Sequence, residues 1–203
     1  MHSSKGRIRI IGGQYRSRLL RVAARPGVRP TPDRVRETLF NWLGQDLEGA
    51  ACLDLFAGSG ALGIEALSRG AIRADFVEAD TGARRVLEKN LAQLGLESRA
   101  RVWPLRLPQG LRALKDVLGA ADVVLADPPY GGDAARILLR ALGAEGAFTW
   151  GADARLVIEH HAKDELPERA GGLARVRSRQ YGETVVSTYR IDSQSRPEGE
   201  EER

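Results

Sequence analysis

Apolar and polar positions follow two alternating patterns through the middle of the chain. Short segments with apolar centres, typical of strands buried in a sheet, occur at residues 50–53, 75–78, 100–105, 121–126 and 155–160. Apolar side chains at helical spacing lie between them, at residues 61–69, 79–94, 109–118 and 133–143. This alternation predicts an α/β fold with a doubly wound, mostly parallel sheet.

The two ends of the chain have different patterns. Residues 7–11 and 15–22 alternate charged and apolar side chains around Gly12-Gly13, which predicts a small N-terminal β-hairpin. A helix over about residues 32–47 follows, with Thr31 as its N-cap. Residues 174–179 and 184–191 predict a terminal hairpin. We therefore divide the chain into a basic hairpin arm (1–28), an α/β domain (29–191) and a disordered acidic tail (192–203).

A glycine-rich turn joins the first predicted strand to the next helix. Gly58, Gly60 and Gly63 form a G-x-G-x-x-G pattern, in which glycine permits a tight turn and the helix start offers free N–H groups. Glu78 lies twenty residues after Gly58, at the end of the second strand, where a carboxylate can accept both ribose hydroxyls. The spacing indicates a nucleoside-containing cofactor.

The strand at 121–126 runs into Asp127-Pro128-Pro129-Tyr130. The prolines have no N–H, so the turn presents oxygen acceptors, and Tyr130 offers a ring for stacking. Such a site can hold the exocyclic amine of a base in line with a methyl group on a cofactor. Acceptors on the amine hydrogens would favour the pyramidal geometry of attack.

The arm and the domain differ in net charge. Residues 1–36 carry ten Lys or Arg and one acid, whereas residues 37–171 carry fifteen against twenty. A basic arm on a mildly acidic core fits contacts to a polyanion. The arm's alternating arginines would face outward as a comb, at Arg7, Arg9, Arg16, Arg18 and Arg21. Arg34 and Arg36 lie near a helix start, where cations are unfavourable unless an anion is close.

Composition excludes several classes of protein. No apolar run is long enough to span a bilayer, and the single cysteine, Cys52, has no internal disulfide partner. We expect a cytoplasmic monomer. His160 and His161 are adjacent on a strand and point to opposite faces, so we expect no metal site.

These segments together resemble the bacterial family of class I S-adenosylmethionine-dependent methyltransferases that methylate the N2 amine of a guanine in 16S ribosomal RNA. The resemblance is carried by residues 29–41, by residues 54–63 with 65–70, and by residues 127–130. It implies a Rossmann-like sheet of seven strands with the last one antiparallel. It also implies S-adenosylhomocysteine as product and ribosomal RNA, free or within the small subunit, as partner.

The resemblance assigns site residues by position. It implies cofactor contacts to the methionine part and ribose from Asp54, Phe56, Ala57, Gly58, Ser59, Gly60, Glu78 and Ala79. It implies catalytic contacts to the target amine from Asp127, Pro128, Pro129 and Tyr130. With the arm, it implies RNA contacts from Arg7, Arg9, Arg16, Arg18, Arg29, Thr31, Arg34 and Arg36. One departure concerns adenine, because the usual acid after the third strand is absent and backbone groups or Trp103 would have to substitute.

Three other functions compete with this interpretation. An NAD-dependent dehydrogenase would use the same glycine turn, but it explains neither residues 127–130 nor the basic arm. An amino-methyltransferase acting on adenine N6 or on a protein glutamine would more often have Asn or Ser in place of Asp127. A non-catalytic RNA-binding module would keep the arm and lose cofactor binding.

Overall fold

The computed structural model describes residues 6–22, 33–44, 47–130, 132–144 and 146–192. The predicted acidic tail from residue 193 and the predicted boundary at residues 28 and 29 lie outside these ranges. The strands, in chain order, are β1 Arg7–Arg9, β2 Leu19–Arg21, β3 Ala51–Leu55, β4 Arg73–Val77, β5 Ala100–Trp103, β6 Val123–Ala126, β7 Arg155–His161, β8 Arg169–Ala170, β9 Leu173–Tyr181 and β10 Thr184–Ile191. The α-helices are α1 Asp33–Leu43, α2 Ala61–Ser68, α3 Thr81–Leu94, α4 Lys115–Gly119 and α5 Ala134–Gly143.

The central sheet has the order β5-β4-β3-β6-β7-β10-β9-β8. β3 to β7 pair in parallel, and β10 runs antiparallel to both β7 and β9. The predicted mostly parallel sheet with an antiparallel last strand is confirmed. The described sheet has eight strands instead of the seven predicted, because Arg169–Ala170 folds back on the start of β9. A two-residue strand has no periodicity by which the sequence could reveal it.

Both faces are covered in the centre of the sheet, which explains why every residue of β3 and β6 is buried. Successive residues of β3 enter opposite cores. Cys52 packs with α1, α2 and α3, whereas Leu53 packs with α5 and the segment around α4. That segment is a predicted helix that the structure divides, with a 3₁₀ turn at Gln109–Leu114 before α4. None of the described helices has the length and apolarity that a bilayer crossing requires.

The N-terminal hairpin formed by β1 and β2 is confirmed, and it is docked against α2. The buried Glu65 carboxylate accepts the Ile11 N–H at 2.8 Å and the Gly12 N–H at 2.7 Å, and it pairs with Arg69 at 2.8 Å. The Ser68 hydroxyl donates to the Gly12 carbonyl at 2.6 Å and accepts from the Tyr15 N–H at 3.0 Å. One turn of α2 therefore holds the hairpin loop through backbone groups of Ile11, Gly12 and Tyr15.

A buried asparagine fixes the second strand of the hairpin. Asn90 of α3 accepts the Arg21 N–H at 2.9 Å and donates to the Arg21 carbonyl at 2.9 Å. The same amide donates to the Ser59 carbonyl at 2.9 Å. The sequence places Asn90 on the apolar side of its helix, and this triple hydrogen bond is the physical reason. Asn90 thereby connects β2 to the glycine-rich turn.

Gly13 makes the close approach of the hairpin loop to α2 possible. Its φ is +72°, and an added Cβ would lie 1.8 Å from the Ser68 carbonyl oxygen. We expect Gly13→Ala to lower the free energy of unfolding by more than the ~1–2 kcal/mol that the left-handed backbone alone costs. Urea denaturation, with hydrogen exchange at residues 7–21, measures the loss.

Gly95→Ala is the matched control for this variant. Gly95 has a similar φ of +68°, but nothing lies within 4 Å of an added Cβ. It therefore reports the backbone cost without the collision. Equal losses of stability in the two variants would show that the loop does not need its close contact with Ser68.

Candidate functional site

A crevice of about 840 Å³ opens where three parallel strands end. The turns that follow β3, β4 and β6 all contribute to its lining, as expected for the carboxyl edge of a doubly wound sheet. The residues among the predicted contacts that line it are Arg36, Asp54, Phe56, Ala57, Gly58, Ser59, Glu78, Ala79, Asp127 and Pro129. Gly60, Pro128 and Tyr130 are not part of the lining. The structure therefore brings the predicted cofactor and target segments to one cavity.

Asp54 forms the floor of the crevice and caps a helix. Gly60 precedes the first residue of α2 and has no side chain that could cap it, and the Asp54 carboxyl accepts the Gly63 N–H at 2.8 Å instead. Only 1% of Asp54 is exposed. Burial, with smaller contributions from Asp127 and Glu78, raises the pKa of Asp54 to about 8, although the Gly63 hydrogen bond lowers it.

Glu78 ties the second strand to the glycine-rich turn. One carboxylate oxygen accepts the Gly58 N–H at 2.9 Å, and the other accepts the Asp80 N–H at 2.7 Å. Asp80 in turn caps α3 by accepting the Ala83 N–H at 2.7 Å. A carboxylate oxygen has more than one acceptor position, so these bonds leave Glu78 able to accept hydroxyl groups from the crevice.

The backbone of the turn is unusual at two of its positions. Phe56 has a φ of +62°, a left-handed conformation that is uncommon for a bulky residue and that clusters at functional sites. Gly63 packs so closely on the sheet that an added Cβ would lie 2.3 Å from the Phe76 ring. Gly63 therefore allows close packing of α2 on the sheet, whereas Phe56 and Gly58 line the cavity.

The turn after β6 is held by its tyrosine. The Tyr130 hydroxyl donates to the Glu159 carboxylate of β7 at 2.8 Å and lies 3.0 Å from the Thr184 hydroxyl of β10. The Tyr130 ring meets the His161 ring edge-on, with centroids 5.6 Å apart. Burial, followed by the Glu159 charge, raises the pKa of Tyr130 above its ordinary value. Tyr130 nevertheless remains 48% exposed.

Several wall residues were not singled out from the sequence. Ile8 and Val22 of the hairpin line one part of the crevice, and Ile137 and Leu138 of α5 line another. The segment after β5 contributes the rest of the wall, at Leu105, Arg106, Leu107 and Pro108. Exposed Ile137 is the one signal that the sequence offered, since it departs from the buried face of its helix.

Trp103, which the sequence offered as a contact to the adenine of the cofactor, does not line the crevice. Its indole N–H donates to Asp75 at 2.8 Å, and the Arg101 guanidinium lies 3.8 Å from its ring centroid. Trp103 is therefore engaged beside β5 and does not line the crevice. The following segment, from Leu105 to Pro108, occupies the wall instead.

The predicted RNA contacts fall into three groups. Exposed side chains are found at Arg7, Arg9, Arg16, Arg18 and Arg34. Arg29 and Thr31 lie outside the described residues. Arg36 forms the third group, because its side chain is 0% exposed and donates to the Arg9 carbonyl at 2.8 Å. Arg36 joins α1 to the hairpin and lines the crevice instead of the outer surface.

The sheet order, the glycine turn and the crevice define the class of this protein, that of the class I S-adenosylmethionine-dependent methyltransferases. The family model described as Conserved hypothetical protein 95 matches residues 8–190. Ribosomal RNA small subunit methyltransferase D of Escherichia coli K12 is 40% identical over 194 residues, which cover 95% of this chain and 94% of the relative. The chain belongs to the family that the model Conserved hypothetical protein 95 describes.

Solved structures agree with that assignment. A solved structure from Escherichia coli, named as a methyltransferase, has a TM-score of 0.76 and is 38% identical in sequence. The similarity covers 93% of this chain and 100% of that structure's chain. An RNA methyltransferase from Salinibacter ruber, in complex with S-adenosyl-L-homocysteine, has a TM-score of 0.62 at 20% identity, covering 86% of this chain and all of its own. The second similarity concerns the fold alone.

The buried Asp54 carboxyl predicts a specific pH dependence of stability. Its ordinary pKa is 3.8, and the folded protein raises it to about 8. The unfolded chain therefore loses this proton first as pH rises, and the stabilisation present below the lower value is lost progressively up to the higher one. We expect this group to lower the free energy of unfolding by up to about 1.4 kcal/mol per pH unit between about pH 5 and 7.

Asp54→Asn removes the titrating group and keeps an acceptor for the Gly63 N–H. Urea denaturation of both proteins across this pH range isolates Asp54, because all other titrating groups are shared. The difference in stability between wild type and variant is expected to change with pH in the stated direction. A difference that stays constant with pH would mean that Asp54 is ionised in the folded protein.

Proposed function

We propose that this protein transfers a methyl group from S-adenosylmethionine to the N2 amine of a guanine in 16S ribosomal RNA. The observation that carries the proposal is the convergence of Asp54, Glu78 and Asp127 on one crevice, with two prolines and a tyrosine following the last of them. The first two acids suit a cationic nucleoside cofactor. The third is placed to receive an amine.

The residues of the crevice fit the cofactor. Bound S-adenosylmethionine supplies an activated methyl group next to a positively charged sulfur. Asp54 and the turn from Phe56 to Gly60 would hold the methionine part, and Glu78 with Ala79 the ribose. The acidic floor favours a ligand that carries positive charge, and such a ligand would favour the ionised form of Asp54.

The adenine would rest against the wall that Leu105, Arg106 and Leu107 form. Apolar side chains and backbone groups of this segment replace the acid that is usual after the third strand. This assignment follows from the lining of the crevice, which includes these residues and excludes Trp103. Leu105 and Leu107 offer apolar contact to the base.

Asp127 and the two prolines would act on the target amine. The lone pair of an aromatic amine is delocalised into its ring, so the amine needs help to become a nucleophile. Asp127 and the carbonyl groups of the turn would accept its N–H groups and stabilise the positive charge that develops during attack. The Tyr130 ring would stack on the base, with its hydroxyl fixed by Glu159 and Thr184.

Ribosomal RNA as the substrate rests on the relatives and on the hairpin. The Escherichia coli relative is named for small-subunit ribosomal RNA, and it matches nearly the whole chain. The hairpin carries four exposed arginines of the predicted set, and two of its apolar residues line the crevice. The hairpin would therefore hold the RNA backbone while forming one wall of the cavity that receives the base.

Asp127→Ala tests the catalytic assignment. We expect single-turnover methylation of unmodified 16S ribosomal RNA to slow by about a hundredfold or more, because one preorganised acceptor is lost. Cofactor affinity measured by calorimetry should stay near that of wild type. Glu78→Gln is the comparator and should weaken cofactor binding instead. Methylation by the Asp127 variant at the wild-type rate would remove Asp127 from the reaction, and a methyl group found on adenine or on a protein glutamine would replace the proposed substrate.

Replacing Arg7, Arg9, Arg16 and Arg18 with glutamine tests the hairpin. Each lost phosphate contact should flatten the slope of log affinity against log salt by about 0.7–0.9 and leave cofactor affinity unchanged. Filter binding across a salt series measures the slope.

The matched control replaces four exposed arginines that do not line the crevice, Arg73, Arg112, Arg140 and Arg190. It removes the same charge from other surfaces. Equal slopes in the two quadruple variants would mean that the hairpin contributes only net charge.

A further inference from the structure

A second groove, of about 440 Å³, lies beside the turn between β9 and β10. Its lining consists of Arg34 of α1 and residues 179–182 of the hairpin turn, and we call it the Arg34–Arg179 groove. Among the residues that the structure describes, no carboxylate is part of this lining. Glu183, the next residue of the turn, is exposed but does not line the groove.

Aromatic rings hold two neighbouring guanidinium groups at the surface. The Arg179 guanidinium lies 5.3 Å from the Tyr181 ring centroid, and the Arg177 guanidinium lies 4.3 Å from the Trp42 ring centroid. Stacking on a ring orients a guanidinium and leaves its N–H donors available to an oxygen ligand. Neither arginine forms an ion pair with any of the described residues, so both charges are uncompensated in that part of the chain.

Arg34 adds a charge in an unfavourable place. It lies in the first turn of α1, where the helix dipole disfavours a cation unless an anion is nearby. Arg34 and Arg179 both line the groove, and like charges repel. Two arginines that line one groove are typical of a surface that binds an anion whose oxygens accept paired N–H groups, such as a phosphate.

The groove is connected to the proposed target site. Thr184 lies two residues after Gly182, and its hydroxyl is 3.0 Å from that of Tyr130. On the other side, Arg36 of the same helix as Arg34 contacts Arg9 of the N-terminal hairpin. α1 thus reaches the hairpin through one arginine and the groove through another, two residues apart.

We propose that the Arg34–Arg179 groove binds phosphates of the RNA strand on the second side of the target nucleotide. The proposal rests on the proposed function, and it adds a contact surface to the hairpin. A nucleotide that leaves its stack to enter a crevice is better positioned when the backbone is held on both sides of it. The hairpin would hold one flank and the groove the other.

The double variant Arg34→Gln with Arg179→Gln tests the groove. We expect the slope of log affinity against log salt for unmodified 16S ribosomal RNA to flatten by about 1.4–1.8, and the dissociation constant at physiological salt to rise on the order of tenfold. The loss should be similar for a short oligouridylate, because phosphate contacts carry no sequence information. Cofactor affinity should be unchanged, because neither arginine lines the crevice.

Arg140→Gln with Arg190→Gln is the matched control, since both arginines are exposed and neither lines the groove or the crevice. Arg34→Lys with Arg179→Lys should restore most of the slope, because the charges return. A glutamine variant whose slope equals that of the control overturns the proposal. So does a variant that binds naked RNA normally and loses affinity only for the assembled subunit, which would point to a protein partner. Wild-type protein that binds RNA without methylating it contradicts the proposed function, and the salt comparison still decides the role of the groove.

Discussion

The shape of the crevice depends on a buried carboxyl group near the end of one strand that accepts an N–H of the next helix. Asp54 caps α2 through the Gly63 N–H, which joins β3 to the glycine-rich turn without a side chain at the helix N-cap position. Glu78 makes the corresponding connection from β4 through the Gly58 N–H. Two acids from neighbouring strands thereby set the shape of the turn, and the crevice is the space that they leave.

The N-terminal hairpin is part of the same construction. Glu65 and Ser68 of α2 hold its loop, Asn90 of α3 holds its second strand, and Arg36 of α1 holds its first. Since Asn90 also binds the Ser59 carbonyl, one buried amide contacts both the hairpin and the turn proposed to hold the cofactor. Displacement of the hairpin would therefore change the shape of the crevice, because Ile8 and Val22 line it.

Sequence patterns predicted most of the sheet and the convergence of three loops on one edge, because strand order in such folds follows from short-range alternation. The spacing of Gly58 and Glu78 predicted that both residues serve one ligand, but it did not predict the hydrogen bond that the structure shows between them. Local patterns could not reveal the burial of Arg36, the engagement of Trp103 by Asp75, or the presence of hairpin residues in the crevice. Each of these depends on which distant segments meet. Asn90 could be predicted in part: a polar residue on the apolar face of a helix indicates that it has a hydrogen-bond partner, but the sequence does not show which residue that partner is.

The outer edge of β9 has a consequence for how the protein behaves in concentrated solution. β8 pairs with β9 only at Leu173 and Ala174, so among the described residues no strand covers the edge further along. Val176 is exposed on this part of β9, and an open edge with apolar side chains is a template for pairing with a second copy. Arg177 and Arg179 oppose such pairing by charge repulsion. The guanidinium groups that suit a polyanion therefore also disfavour edge-to-edge pairing of two copies.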